Sequence, residues 1–174
     1  MENLLNKEPV KRVHDFIKKY DSNLEVLFLD NTARTANDAA KSLKCEVGAI
    51  VKSLLFKVED SFLICLIAGD RRCSLNKLKK ILNKKDVSMA DADAVKKNTG
   101  FSIGGVAPVA HKLKLDILVD KSLSRFPYIF AAAGHPNCVF KINYNELIKI
   151  TNGLEKEITE WENQNLLTIY YLLY

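Results

Sequence analysis

The sequence predicts one α/β domain built around a mixed, curved β-sheet with helices packed about it. Helical and strand periods interleave along the 174 residues without the regular strand–helix alternation of a doubly wound parallel sheet. Two apolar runs, Ile50–Val58 and Ser61–Ala68, are separated only by Glu59-Asp60 and read as an antiparallel hairpin. No internal repeat, low-complexity stretch or linker divides the chain.

The elements follow from local signals. Pro9 opens an amphipathic helix to Tyr20, with Val10, Val13, Phe16 and Ile17 on one side and Lys11, Arg12, Lys18 and Lys19 on the other. Glu25–Leu29 is a short strand. Thr35 caps a helix over Ala36–Leu43, whose alanines allow a neighbouring element to come close. Ser74 precedes a helix over Leu75–Leu82, Asp86–Met89 is a brief strand, and Asp91 caps a small helix ending at Thr99-Gly100. Leu115–Val119, Tyr128–Ala132 and Cys138–Ile142 are further strands. Asn143 caps a helix to about Thr151, closed by Asn152-Gly153. The expected domain is 1–153. Residues 154–174 form a tail of unassigned role, acidic first and then apolar and aromatic over Leu166–Tyr174. Such a tail has to be covered, by its own domain or by a second copy in a homodimer.

Composition narrows the class. Apolar residues at 48% and charged residues at 27% describe a globular chain rather than a disordered one. No run of apolar residues is long enough to span a membrane, and the N-terminus lacks the pattern of a signal peptide, so cytoplasmic residence is expected. Cys45, Cys65, Cys73 and Cys138 have neither Cys-x-x-Cys spacing nor companion ligands, which argues against a zinc knuckle and a redox pair. No metal or cofactor is expected. The formal charge is +5, with −3 in the last twenty residues and therefore +8 in the remainder. A body this basic suits a polyanion, although a solvated lysine-rich surface explains it equally well.

Four constellations carry potential chemistry. Lys52 is set inside an apolar strand. Alternation places it on the face of Leu54, with Val51, Ser53 and Leu55 on the other. An ammonium there needs a partner or a site. It could discourage edge aggregation, bind phosphate as a point charge, or serve as a Schiff-base amine. The loop Gly104-Gly105-Val106-Ala107-Pro108 could be a plain turn, or its N–H groups could stabilise an oxyanion, with Pro108 stiffening it. It is neither a Walker loop nor a dinucleotide-binding fingerprint. Ala131-Ala132-Ala133-Gly134-His135-Pro136 leaves room for a ligand at a strand end, where His135 could orient it or simply face solvent. Gly69-Asp70-Arg71-Arg72 ends a strand, and Asp70 could pair with Lys52 or Arg71. His14 reads as a surface residue, and His111 is near the glycine loop by position only. No nucleophile elbow, Ser–His–Asp set or zinc-deaminase signature is present.

In this order these segments resemble the YbaK family of prolyl-tRNA synthetase-associated editing domains. The matching pieces are Thr35-Ala36…Ala39-Ala40, Ile50-Val51-Lys52-Ser53-Leu54, Gly69-Asp70, Thr99-Gly100-Phe101…Gly104-Gly105-Val106-Ala107-Pro108 and Ala133-Gly134-His135-Pro136, within about residues 25–152. The family's usual loop has Ser where this chain has Ala107. The resemblance implies a barrel-like sheet and a free-standing aminoacyl-tRNA deacylase that cleaves a wrong amino acid from the tRNA 3′ adenosine, often on tRNA for proline. It implies that Lys52 holds a phosphate and that the backbone N–H groups of Gly104, Gly105, Val106 and Ala107 receive the ester oxygen, with the substrate's 2′-hydroxyl assisting water. Thr35, Ser53, Asp70, Pro108, Gly134 and His135 complete the implied substrate site. The Gly-His-Pro turn looks more like the branch that clears alanine or similar small residues than the one that clears cysteine. The implied partners are the acceptor end of aminoacyl-tRNA and prolyl-tRNA synthetase. The rival reading is a non-catalytic tRNA- or synthetase-binding module of the same fold.

Overall fold

The computed structural model describes residues 4–29 and 35–161. In chain order these form α1 (Glu8–Tyr20), β1 (Val26–Phe28), α2 (Ala36–Leu43), β2 (Val51–Val58), β3 (Ser61–Ala68), β4 (Arg71–Cys73), α3 (Leu75–Leu82), β5 (Val87–Met89), α4 (Ala92–Thr99), β6 (Asp116–Asp120), β7 (Ile129–Ala132), β8 (Cys138–Ile142), α5 (Tyr144–Thr151), β9 (Leu154–Lys156) and β10 (Thr159–Trp161). Helix ends follow the side chains that stop them. Thr35 accepts from the Asp38 N–H while Asp38 reaches back, a complete capping box. Ser74, Asp91 and Asn143 cap α3, α4 and α5 in the same sense. Left-handed residues Lys44, Asn83, Gly100 and Asn152 close α2, α3, α4 and α5.

The expected hairpin is the centre of a five-stranded mixed sheet in the order β5-β2-β3-β6-β9. β5, β2 and β3 are antiparallel, with Val51 opposite Ala68, while β6 and β9 run parallel to β3. β1, β8 and β7 make a separate antiparallel sheet, and β10 pairs with β4. The mixed sheet surrounded by helices is as expected. Among the described residues the strands do not close, and the two larger sheets meet through the parallel bridge Ile50–Phe130.

Both faces of the main sheet are buried, which is why its strands read as continuous apolar runs. On one face Ile64, Leu66 and Ala68 pack with Val10, Val13 and Ile17 of α1, Leu147 and Ile150 of α5, and Ile129, Ala131 and Phe140 of the three-stranded sheet. On the other, Phe56, Cys65 and Ile67 lie under Leu78 of α3 and under Ile158. A small third cluster, Leu29, Ala39, Ala40, Ile50 and Val139, seats α2 through its alanines. Each fully buried Leu, Ile or Phe contributes about 1.5–3 kcal/mol relative to exposure.

Three short strands were not legible from periodicity: β4, β9 and β10. Residues 154–161 lie within the body, since β9 extends the main sheet, β10 pairs with β4, and Ile158 is fully buried. Asp120, also buried, accepts from the Ile158 N–H at 2.7 Å and the Thr159 hydroxyl at 2.9 Å. The apolar run 166–174, with the homodimer it suggested, lies outside the described residues. No helix among the described residues is long and apolar enough to cross a membrane.

Candidate functional site

A cavity of about 420 Å³ opens where β2 is left uncovered. β5 pairs only with Phe56–Val58, so the preceding half of β2 has no strand on that side. Thr35, the cap of α2, with Ala36, Asn37 and Ala39 of that helix wall it on one side, and Ile103, Gly104 and Val106 of the glycine loop on another. Phe130, Ala132 and Val139 of the three-stranded sheet form its floor. The Leu55 carbonyl points away from β3, because it accepts the Ala90 N–H at 3.0 Å. Antiparallel alternation then directs the N–H and C=O of Ser53 to the same open edge. The Ser53 hydroxyl lies against this cavity, buried and without a hydrogen-bond partner.

Lys52 also lines the cavity and is half-buried. Its ammonium donates to the Arg71 carbonyl oxygen in β4. Among the described residues it is the only charged side chain on the wall. The remaining lining is mostly apolar, as small-molecule sites are.

The glycine loop is held by side chains from elsewhere. Arg12 of α1 donates to the Ala110 carbonyl at 2.8 Å and the Thr99 carbonyl at 3.3 Å, while its guanidinium lies over the Phe101 ring at 4.6 Å. The His111 Nε2 bonds the Ala107 carbonyl at 2.8 Å. Burial, with the Arg12 charge adding to it, holds the His111 imidazole below its ordinary pKa, so the neutral ring donates to that carbonyl. Gly104 has φ +89, a left-handed conformation suited to glycine. At Gly105 a Cβ would meet the His135 backbone at 2.9 Å, so glycine lets the loop dock on the Gly134–Pro136 turn. The Gly105 N–H is committed to the Ser102 carbonyl at 3.0 Å. Gly104 and Val106 line the cavity, and their N–H groups make no hydrogen bond among the described residues.

Of the residues expected from sequence, Thr35, Lys52, Ser53 and Gly104 line one cavity. Gly105, Ala107 and Pro108 lie buried behind the loop, and Gly134 and His135 stand behind Pro136, which does line it. The Thr35 hydroxyl is engaged in the capping box, bonding Asp38 at 2.8 Å. The His135 Nδ1 accepts the Asn137 N–H at 3.1 Å, and burial together with Lys7 holds its pKa down, so the ring serves its own turn. Asp70 departs from its expected pairing. Its carboxylate binds neither Lys52 nor Arg71 but forms a forked pair with Arg125, at 2.6 and 3.0 Å. Sequence reasoning passed over Asn37, Met89, Ile103 and Phe130. Met89 and Ile103 are exposed apolar residues beside a turn and a glycine, a signal that could have marked them.

The mixed-sheet α/β fold thus encloses a small, mostly apolar hollow with one cation, an orphan hydroxyl and uncommitted amides on its wall, the make-up of a small-molecule binding site. The chain belongs to the family of aminoacyl-tRNA editing domains, whose model matches residues 30–150. It is 33% identical over 137 residues to a proline–tRNA ligase of Thermosipho africanus, covering 79% of this chain but 24% of that one. It is 27% identical to the uncharacterized protein YwhH of Bacillus subtilis, over 79% of this chain and 88% of that one. Among solved structures it is similar to a candidate trans-editing enzyme for prolyl tRNA synthetase, with TM-score 0.83 and 32% identity, covering 88% of this chain and 98% of that one. The chain thus spans about a quarter of the length of the ligase relative.

Proposed function

We propose that this protein hydrolyses the ester of a mischarged aminoacyl-tRNA, with tRNA for proline bearing alanine or a residue of similar size as substrate. The observation that carries the reading is the meeting of Lys52, Ser53 and Gly104 around one hollow of about 420 Å³. Lys52 holds a phosphate of the terminal nucleotide as a point charge. Ser53, through its hydroxyl and edge backbone groups, orients the amino acid. The N–H groups of Gly104 and Val106 receive the ester oxygen as negative charge develops on it. Water adds to the carbonyl carbon, the bond from that carbon to the ribose oxygen breaks, and a proton from the water passes to the ribose oxygen. The 2′-hydroxyl of the terminal adenosine positions the water, so no side-chain nucleophile is required. The products are the free amino acid and uncharged tRNA.

Pocket size separates neighbouring acyl groups by about 1–3 kcal/mol per methylene. Release of amino acid from tRNA charged with Ala, Ser, Cys or Pro tests the reading. Turnover is expected on Ala-charged tRNA for proline, with the Pro-charged form spared. Lys52→Ala is expected to abolish turnover with the melting temperature kept, and an unchanged rate rejects Lys52. A second reading rests on the wall having no carboxylate, imidazole or thiol among the described residues: a binding module for tRNA or a synthetase. Tight tRNA binding with no turnover on any of the four selects it.

A further inference from the structure

The turn after β3 carries three consecutive charges, and their partners differ. Asp70 is taken by Arg125. Arg72 pairs with Glu160, opposite it in the β4–β10 ladder, at 3.0 Å. The Arg71 guanidinium makes no ion pair or hydrogen bond among the described residues, and its Nε is buried without a partner. What holds it is its cross-strand neighbour Trp161, whose ring centre lies 3.3 Å from the guanidinium carbon. Arg125 approaches the same ring at 5.3 Å. The indole nevertheless remains 59% exposed. A half-buried cation with an unpartnered Nε–H, set over an indole and flanked by a second arginine, is arranged for an anion from outside. Its place adjoins the cavity, since the Arg71 carbonyl accepts from the Lys52 ammonium and Gly69 lines the hollow.

We propose that Arg71 and Trp161 form a second binding site for single-stranded RNA beside the cavity, Arg71 taking a phosphodiester and the exposed indole stacking the adjoining base. Trp161 comes from β10, beyond the family-matched residues 30–150, so this site belongs to the C-terminal strand of this chain. That the RNA is the 3′ end of a tRNA rests on the proposed function. The site itself does not need turnover.

Trp161 is the only tryptophan in the chain, so its emission reports the site without a label. The full chain is titrated with uncharged tRNA and with a short single-stranded RNA ending in CCA, while filter retention measures binding separately. Saturable quenching by both RNAs is expected. Arg71→Ala should weaken oligonucleotide binding roughly ten-fold and make the slope of log affinity against log salt shallower by about 0.7. Arg71→Lys should restore the slope but not the affinity, and thermal melting shows whether the variants fold. Emission indifferent to RNA that filter retention shows to be bound overturns the proposal. So does equal quenching by inorganic phosphate alone, or quenching by polyglutamate and not by RNA, which would mark a protein partner. An inactive deacylase whose Trp161 still responds to RNA sinks the proposed function and leaves this site standing. An active one whose Trp161 does not respond sinks this site alone.

Discussion

Lys52 and Ser53 are adjacent residues that face opposite ways. The ammonium crosses to β4, while the hydroxyl stays at the cavity without a partner. An unsatisfied buried hydroxyl costs stability until a ligand arrives. Ser53→Ala is therefore expected to hold or raise the melting temperature while deacylation falls roughly ten-fold. A lower melting temperature would mean that the hydroxyl is paired in solution. Gly105→Ala forces a methyl against the His135 backbone, and denaturant titration should show a loss of about 1–3 kcal/mol. Titration adds a third test. Burial holds His111 and His135 below their ordinary value, so the unfolded chain takes protons that the folded chain refuses. Stability is thus full above about pH 6.5 and falls as the pH drops through that value. Melting temperatures between pH 7.5 and 5.5 should decline, and His111→Gln, which keeps a donor for Ala107, should flatten the decline.

Elements were legible where their ends are local. The limits of α2, α3 and α4 were readable because Thr35, Ser74 and Asp91 each satisfy an N–H three residues on. Thr35→Ala should cost about 1 kcal/mol, a drop of about 2–4 °C in a chain of this size, and loosen the helix end that walls the cavity. The glycine loop was legible as a motif but not in its support. The Arg12 contacts to Ala110 and Thr99 span about half the chain and leave no trace in local spacing. The same holds for β4, β9 and β10, each three residues long and set by partners distant in sequence. Ser53 and Lys52 could be assigned to opposite faces by alternation. That the backbone edge at Ser53 is open follows only from β5 stopping short at Phe56.

Across the molecule, Asp120 fastens the end of the described chain. It accepts from Ser122, Ile158 and Thr159, and it is 2% exposed. Asp120→Ala strands these donors and should cost about 3 kcal/mol. A chain ending at Gly153 loses β9, β10 and the buried Ile158 together. Thermal denaturation should show it markedly less stable than the full chain, and equal stability would mean that the two strands merely rest on the body.

Sequence by itself determined the helices, the central hairpin, the burial of the strand carrying Lys52 and the ordered motifs that mark the family, because each depends on side-chain period or on a cap a few residues away. Tertiary structure decided which motif residues meet. Asp70 went to Arg125, His135 to its own turn, and Ser53 and Gly104 to the hollow, since these outcomes depend on where an edge is left uncovered and on backbone approaches between residues far apart in the chain.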